Sequence, residues 1–153
     1  MSTIDDPNRE RMKPTSKLIP LAVGDSVSFS KTVGESDVYL FAGITGDFSP
    51  NHINEEIMNK TPYKHRVVHG VLSLGFGSTT STMMIERTGM TAVSYGYDRV
   101  RFINPVLVGD TITATYTIAE IDEETLKTHA DIEVTNQRGE LCTVARNILK
   151  FIV

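Results

Sequence analysis

Residues 69–87 read His69-Gly70-Val71-Leu72-Ser73-Leu74-Gly75-Phe76-Gly77-Ser78-Thr79-Thr80-Ser81-Thr82-Met83-Met84-Ile85-Glu86-Arg87. As a helix, this stretch spreads Val71, Leu72, Leu74, Phe76, Met83, Met84 and Ile85 around most of its circumference. The residues between them, Gly70, Ser73, Gly75, Gly77, Ser78 and Ser81, are small. An interior glycine costs a helix about 1 kcal/mol relative to alanine, so a helix carrying several needs close packing to form. The stretch predicts a long central helix with a sheet pressed against it, ended by Gly89.

Strand patterns lie on both sides of this helix. On the N-terminal side, Ser26 to Val33 alternates, with Val27 and Phe29 on one face and Ser28 and Ser30 on the other. After the helix, Thr91–Phe102 is rich in β-branched and aromatic residues. Thr111–Ile121 alternates Ile112, Ala114, Tyr116 and Ile118 with threonines. In the next run Leu126, Ala130, Ile132 and Val134 oppose Lys127, His129, Asp131 and Glu133. Leu141–Val153 is a last strand whose buried face is ambiguous at Arg146-Asn147. Turns are expected at Asn104-Pro105, Gly109-Asp110, Asp122-Glu123-Glu124 and Gln137-Arg138-Gly139. Short turns between strands imply antiparallel hairpins, and polar alternation implies one wetted face. The fold class is therefore α+β, an antiparallel sheet of about five strands around a long central helix. Residues 1–20 are polar and contain prolines, as expected of a flexible N-terminal arm. Residues 21–153 form a single domain.

The bulk composition removes several functions. Hydrophobic residues make up 40% and charged residues 22%, which is ordinary for a globular domain. A formal charge of −4 gives no electrostatic case for nucleic acid or an anionic membrane. No apolar run approaches the ~18 residues of a membrane span. The start of the chain lacks an apolar signal core, and one cysteine excludes an intramolecular disulfide. A cytoplasmic location is the resulting default.

Upstream of the central helix lies Phe41-Ala42-Gly43-Ile44-Thr45-Gly46-Asp47-Phe48-Ser49-Pro50-Asn51-His52. Glu35-Ser36-Asp37 marks the start of a short helix, with Val38, Leu40, Phe41 and Ile44 on a shared face and Gly43 and Gly46 at its end. Asp47 to His52 reads as a loop, because Pro50 and small residues disfavour regular structure. Asn54-Glu55-Glu56 then looks like an N-cap with an acidic first turn, and Thr61-Pro62 ends that helix. The loop offers an acid, Asp47, and an imidazole, His52. His69 and Gly70 add a helix start whose backbone N–H and dipole suit developing negative charge. These are the parts needed to move protons beside a carbonyl. The plain alternatives are a loop acid with a surface histidine, and a glycine present only for packing.

The run from Phe41 to His52 resembles the hydratase signature of the MaoC-like dehydratases, which include the (R)-specific enoyl-CoA hydratases. That pattern is an aromatic, small residues, Gly-Asp, any residue, Asn-Pro, an aliphatic residue and His. Val68-His69-Gly70 and Phe102-Ile103-Asn104-Pro105-Val106…Gly109-Asp110 are also similar to the family, and the resemblance spans about Leu21 to Val153. It implies the hot-dog fold. It implies a hydratase/dehydratase that interconverts trans-2-enoyl-CoA and (R)-3-hydroxyacyl-CoA by acid/base catalysis. Asp47 and His52 are then the catalytic pair and Gly70 the oxyanion N–H, with Asn51, His69 and Ser78 as substrate contacts. It further implies a coenzyme A thioester as substrate, no cofactor, and a homodimer or higher homo-oligomer. Two positions depart from the pattern: Ser49 stands where the family has Asn, and Asn51 where it has an aliphatic residue. An acyl-CoA thioesterase on the same fold, or a non-catalytic acyl-CoA binding protein, are the alternatives.

Other residues carry less. Ser78 has no Gly-x-Ser-x-Gly elbow that would make it a hydrolytic nucleophile. His52, His65 and His69 invite a metal reading, but Val67-Val68 reads as extended, so helical i, i+4 geometry does not apply; no metal is expected. Cys142 and the Met83-Met84 pair are expected in the core. Lys60, Lys64, Arg66, Arg99 and Arg101 are candidates for the phosphates of coenzyme A, with plain surface solvation as the alternative.

Overall fold

The computed structural model describes residues 16–152. The order of elements is β1 (Ser26–Thr32), α1 (Glu35–Thr45), α2 (Pro50–Ile53), α3 (Glu55–Met58), α4 (Gly70–Thr88), β2 (Thr91–Phe102), β3 (Thr111–Asp122), β4 (Lys127–Thr135) and β5 (Leu141–Ile152). The strands form one sheet in the order β1-β3-β4-β5-β2, antiparallel throughout. Helix α4 packs against all five. This is the sheet-around-helix arrangement of the hot-dog fold expected above.

Alternation in the strands sets the core. Ile112, Ala114, Tyr116 and Ile118 of β3, Ala130, Ile132 and Val134 of β4, and Ala145, Leu149 and Phe151 of β5 are buried. At the ambiguous pair in β5, Asn147 points inward with no exposure, and Arg146 sits on the outer face paired with Asp131. Burial of Asn147 is compensated by hydrogen bonds, as a buried amide requires. It accepts from the Tyr116 hydroxyl at 3.0 Å and donates to Ser94 Oγ and the Gly96 carbonyl. On the face of the sheet away from α4, hydroxyls of β1 and β3 pair rung by rung, from Ser26–Thr117 to Thr32–Thr111.

The face that α4 buries differs from its apolar count. The buried residues are Ser73, Gly77, Thr80, Ser81 and Met84, and the first four are small. Val71 is exposed, and Leu72, Leu74, Phe76, Met83 and Ile85 pack at the margins of the core. Close approach of helix and sheet is the reason. A Cβ placed on Gly77 would lie 3.0 Å from Ile132 Cγ2, so the contact leaves no room for a larger side chain.

Three expectations need correction. The buried residues of α1 are Val38 and Ala42, whereas Leu40 and Ile44 are exposed. Only Val38 from the expected face meets the core, because α1 touches the domain along a narrow stripe. The stretch from Asp47 to His52 is not all loop: Pro50 begins α2, where its fixed φ and missing N–H suit a first helical position. The N-terminal arm is tied down before residue 20. Glu123 accepts from Ser16 Oγ and the Lys17 N–H, and Ile19 is fully buried. The rest of the expected arm, residues 1–15, lies outside the described residues. Among the described residues no helix is long and apolar enough to cross a membrane.

Candidate active site

Helix α1 ends at Gly46, whose φ of 81° is a left-handed conformation that glycine adopts without strain. The chain therefore turns sharply into Asp47. There the Asp47 Oδ1 accepts the Ser49 N–H at 3.2 Å, a local turn that aims Oδ2 the other way. His52 follows on α2. Its Nδ1 lies 2.6 Å from the Val67 carbonyl, an acceptor, so Nδ1 carries the proton and Nε2 presents a lone pair. That Nε2 faces Asp47 Oδ2 at 3.8 Å and receives the Asn51 side-chain amide at 3.3 Å. The Asp47 side chain is half-exposed and the His52 side chain only 10% exposed.

The carbonyl that orients His52 is itself braced. Val67 bridges Leu107, and the Val68 N–H bonds the Val106 carbonyl. The preceding Arg66 is gripped by Glu35, Glu55 and Tyr39. The Glu35 carboxylate raises the guanidinium above its ordinary value, with Tyr39 and Glu55 adding to it. Next to Arg66, the His65 imidazole and the Arg66 N–H hold the Glu55 carboxyl below its usual range.

His69 is the N-cap of α4 and is 2% exposed. Its Nε2 donates to the Asp47 carbonyl at 3.0 Å, and its ring stacks on His52 with centroids 3.7 Å apart. Phe41 closes on His69, with ring centroids at 4.9 Å. Asp47, His52 and His69 each bring one possible metal-ligand atom within 4.8 Å of the others. Within this cluster His69 Nε2 is committed to the Asp47 carbonyl and His52 Nε2 already meets the Asn51 amide, which leaves fewer uncommitted ligand atoms than the three of a typical catalytic zinc site. His65 is not in this group; it pairs with Glu55.

A cleft of about 290 Å³ opens beside His52. Asn51, His52, Gly70, Ser73, Tyr63 and Phe102 are among the residues on its wall. Gly70 is the first residue of α4, where N–H groups have no partner within the helix. A Cβ there would strike the Phe102 ring at 2.8 Å.

The structure thus brings Asp47, His52, Asn51 and Gly70 together. His69 lies beneath His52, off the cleft wall, and Ser78 is also off it. Ser73, three residues into α4, lines the cleft wall. Its position was available from the helical period counted from Gly70. Of the basic candidates, Arg66 is committed to acids, Arg101 bonds the Val100 carbonyl, and Lys64 bonds the Asn59 carbonyl. Lys60 and Arg99 are exposed.

An (R)-specific enoyl-CoA hydratase of Rhodospirillum rubrum is 41% identical over 101 residues, 66% of this chain and 68% of the relative. A 3-hydroxybutyryl-CoA dehydratase of Methylorubrum extorquens is 32% identical over 104 residues, 68% of this chain and 64% of the relative. Among solved structures, the (R)-hydratase from A. caviae involved in PHA biosynthesis superposes with a TM-score of 0.77 at 26% identity, covering 86% of this chain and 98% of that one. Residues 18–139 match the model of the MaoC like domain, so the chain belongs to the MaoC-like domain family.

Proposed function

We propose that the protein is an enoyl-CoA hydratase, or in reverse a 3-hydroxyacyl-CoA dehydratase, with (R) specificity. One observation carries this reading: the unprotonated Nε2 of His52, which the Asn51 amide also reaches at 3.3 Å, faces Asp47 Oδ2 at 3.8 Å, beside a cleft that the start of α4 enters. The gap exceeds a hydrogen bond, and one water can contact both groups. Two acceptors around one water suit its deprotonation as it attacks the β-carbon of an enoyl thioester.

The water oxygen bonds to the β-carbon, and one of its protons passes to the Asp47–His52 pair. The C=C electrons move through the α-carbon onto the thioester oxygen as an enolate. The Gly70 N–H and the positive end of α4 stabilise that charge. Collapse of the enolate, with proton return to the α-carbon, gives the 3-hydroxyacyl thioester. Water and thioester supply every atom, and the sequence contains no redox step. The names of the Rhodospirillum and A. caviae relatives support the (R) outcome.

A homodimer belongs to the same proposal. Among the described residues, strand β2 is an edge of the sheet, paired with β5 alone, and is 12 residues long with Val93, Tyr95 and Phe102 exposed. A long exposed edge of this kind invites pairing with a second copy.

The test is incubation of the purified protein with crotonyl-CoA and longer trans-2-enoyl-CoA esters, following conjugated absorbance and free thiol together. Loss of absorbance without thiol release, with an (R)-3-hydroxyacyl product on a chiral column, is the expected result. Thiol release would replace the reading with a thioesterase. Absence of turnover across the series would replace it with a binding protein.

A further inference from the structure

We propose that His69 is a positioning residue that sets the separation of Asp47 and His52, an inference that rests on the hydratase reading above. It touches both groups, by different means. Its Nε2–H holds the Asp47 backbone carbonyl at 3.0 Å, and its ring face lies against the His52 ring at 3.7 Å, 25° from parallel. Phe41 backs the same ring, so His69 has little freedom to tilt.

The hydrogen bonds give the stacked rings opposite tautomers. A carbonyl only accepts, so His69 is protonated on Nε2 and His52 on Nδ1. His69 Nδ1 is buried and, among the described residues, has no hydrogen-bond partner. A histidine present only to fill space would not need a polar atom in that condition. The arrangement is explained when the Nε2–H bond is what the position requires. His69 also begins α4, the helix that carries Gly70. One residue thus ties the acid, the base and the proposed oxyanion donor into one frame. Misplacement of reacting groups by about 1 Å costs on the order of 10²-fold in rate, the sensitivity this frame would guard.

The test uses the full chain as wild type, His69→Phe and His69→Gln, with crotonyl-CoA turnover and ¹⁵N imidazole spectra of substrate-free protein. His69→Phe keeps a ring for the stack and loses the donor. His69→Gln places an amide N–H near the position of Nε2. The expected result for His69→Phe is a kcat lower by about 10–100-fold with KM within about twofold, and for His69→Gln a partial recovery of kcat. In wild type the spectra should show Nε2–H on His69 and Nδ1–H on His52. A His69→Phe variant with kcat within about twofold of wild type, or equal losses in both variants, would overturn the proposal. A wild-type protein inactive on every enoyl-CoA would sink the hydratase reading instead. The spectra would then decide His69 alone, an Nδ1–H tautomer being the result against it. They also decide it if the Phe variant fails to fold.

Discussion

His52 Nε2 and Asp47 Oδ2 stand 3.8 Å apart, facing each other without bonding. His52 is held from behind by the Val67 carbonyl, and Asp47 is held by the Ser49 N–H on its other oxygen. Both facing atoms are therefore aimed from fixed positions. Replacing either should remove the proton transfer without removing the fold, since Asp47 is half-exposed and His52 sits on a four-residue helix. Asp47→Asn and His52→Gln are each expected to lower kcat by about 10²–10⁴-fold, with unchanged far-UV circular dichroism. A variant with near wild-type turnover would remove that residue from the chemistry.

Gly70→Ala tests the start of α4. The added methyl would meet the Phe102 ring at 2.8–2.9 Å, so the ring must move. Phe102 is 51% exposed and has room to do so, but the ring also lines the cleft. The expected outcome is a stability loss of about 1–3 kcal/mol and a lower kcat/KM. Combining the change with Phe102→Ala should restore part of the thermal midpoint. If Gly70→Ala alone leaves both quantities unchanged, the close approach has no role.

Much of this site was legible because its key elements are local. Gly46, Asp47, Pro50 and His52 lie within seven residues, and turn chemistry fixes their relation. The two departures from the family pattern gain different meanings in three dimensions. Ser49 contributes its backbone N–H to Asp47, a contact any residue but proline can make. Asn51 contributes its side chain, directly to His52 Nε2. The contact between His52 and His69 was not legible, because it depends on how α4 lies on the sheet. The buried face of α4 was misjudged for a related reason: apolarity suggests what can be buried, but closeness of helix and sheet selected Ser73, Gly77 and Ser81. For α1, counting Leu40 and Ile44 as inward assumed a broad contact where the domain makes a narrow one.

Asp110 gives a prediction in pH. Burial pushes its carboxyl up, but the Leu107 N–H, Gln137 and Arg138 hold it below the usual carboxylate range overall. The unfolded chain, at about 3.9, therefore takes up its proton first as pH falls. The stabilisation is complete above that value and is lost as pH drops through the lower folded value. The site depends on it indirectly, since Asp110 fixes the turn whose Leu107 bridges Val67. Asp110→Asn is expected to cost about 1.5–3 kcal/mol at pH 7, with the difference from wild type shrinking below about pH 4. Urea midpoints across that range check it. A difference that stays constant with pH would contradict the ionic account.

The contact between Gly77 and Ile132 predicts a change of sign. In an open helix, Gly→Ala stabilises by roughly 0.5–1 kcal/mol. Here the new methyl would lie 3.0 Å from Ile132 Cγ2 and 3.4 Å from Cδ1, and both residues are buried. Overpacking of a filled core costs about 1–3 kcal/mol, which exceeds the helical gain. Gly77→Ala should therefore lower stability in the wild-type background. In an Ile132→Ala background the obstruction is gone and only the helical preference remains, so the same substitution should raise stability. A double-mutant cycle by urea denaturation measures both. Equal effects in the two backgrounds would mean that helix α4 is not held against β4 through this pair.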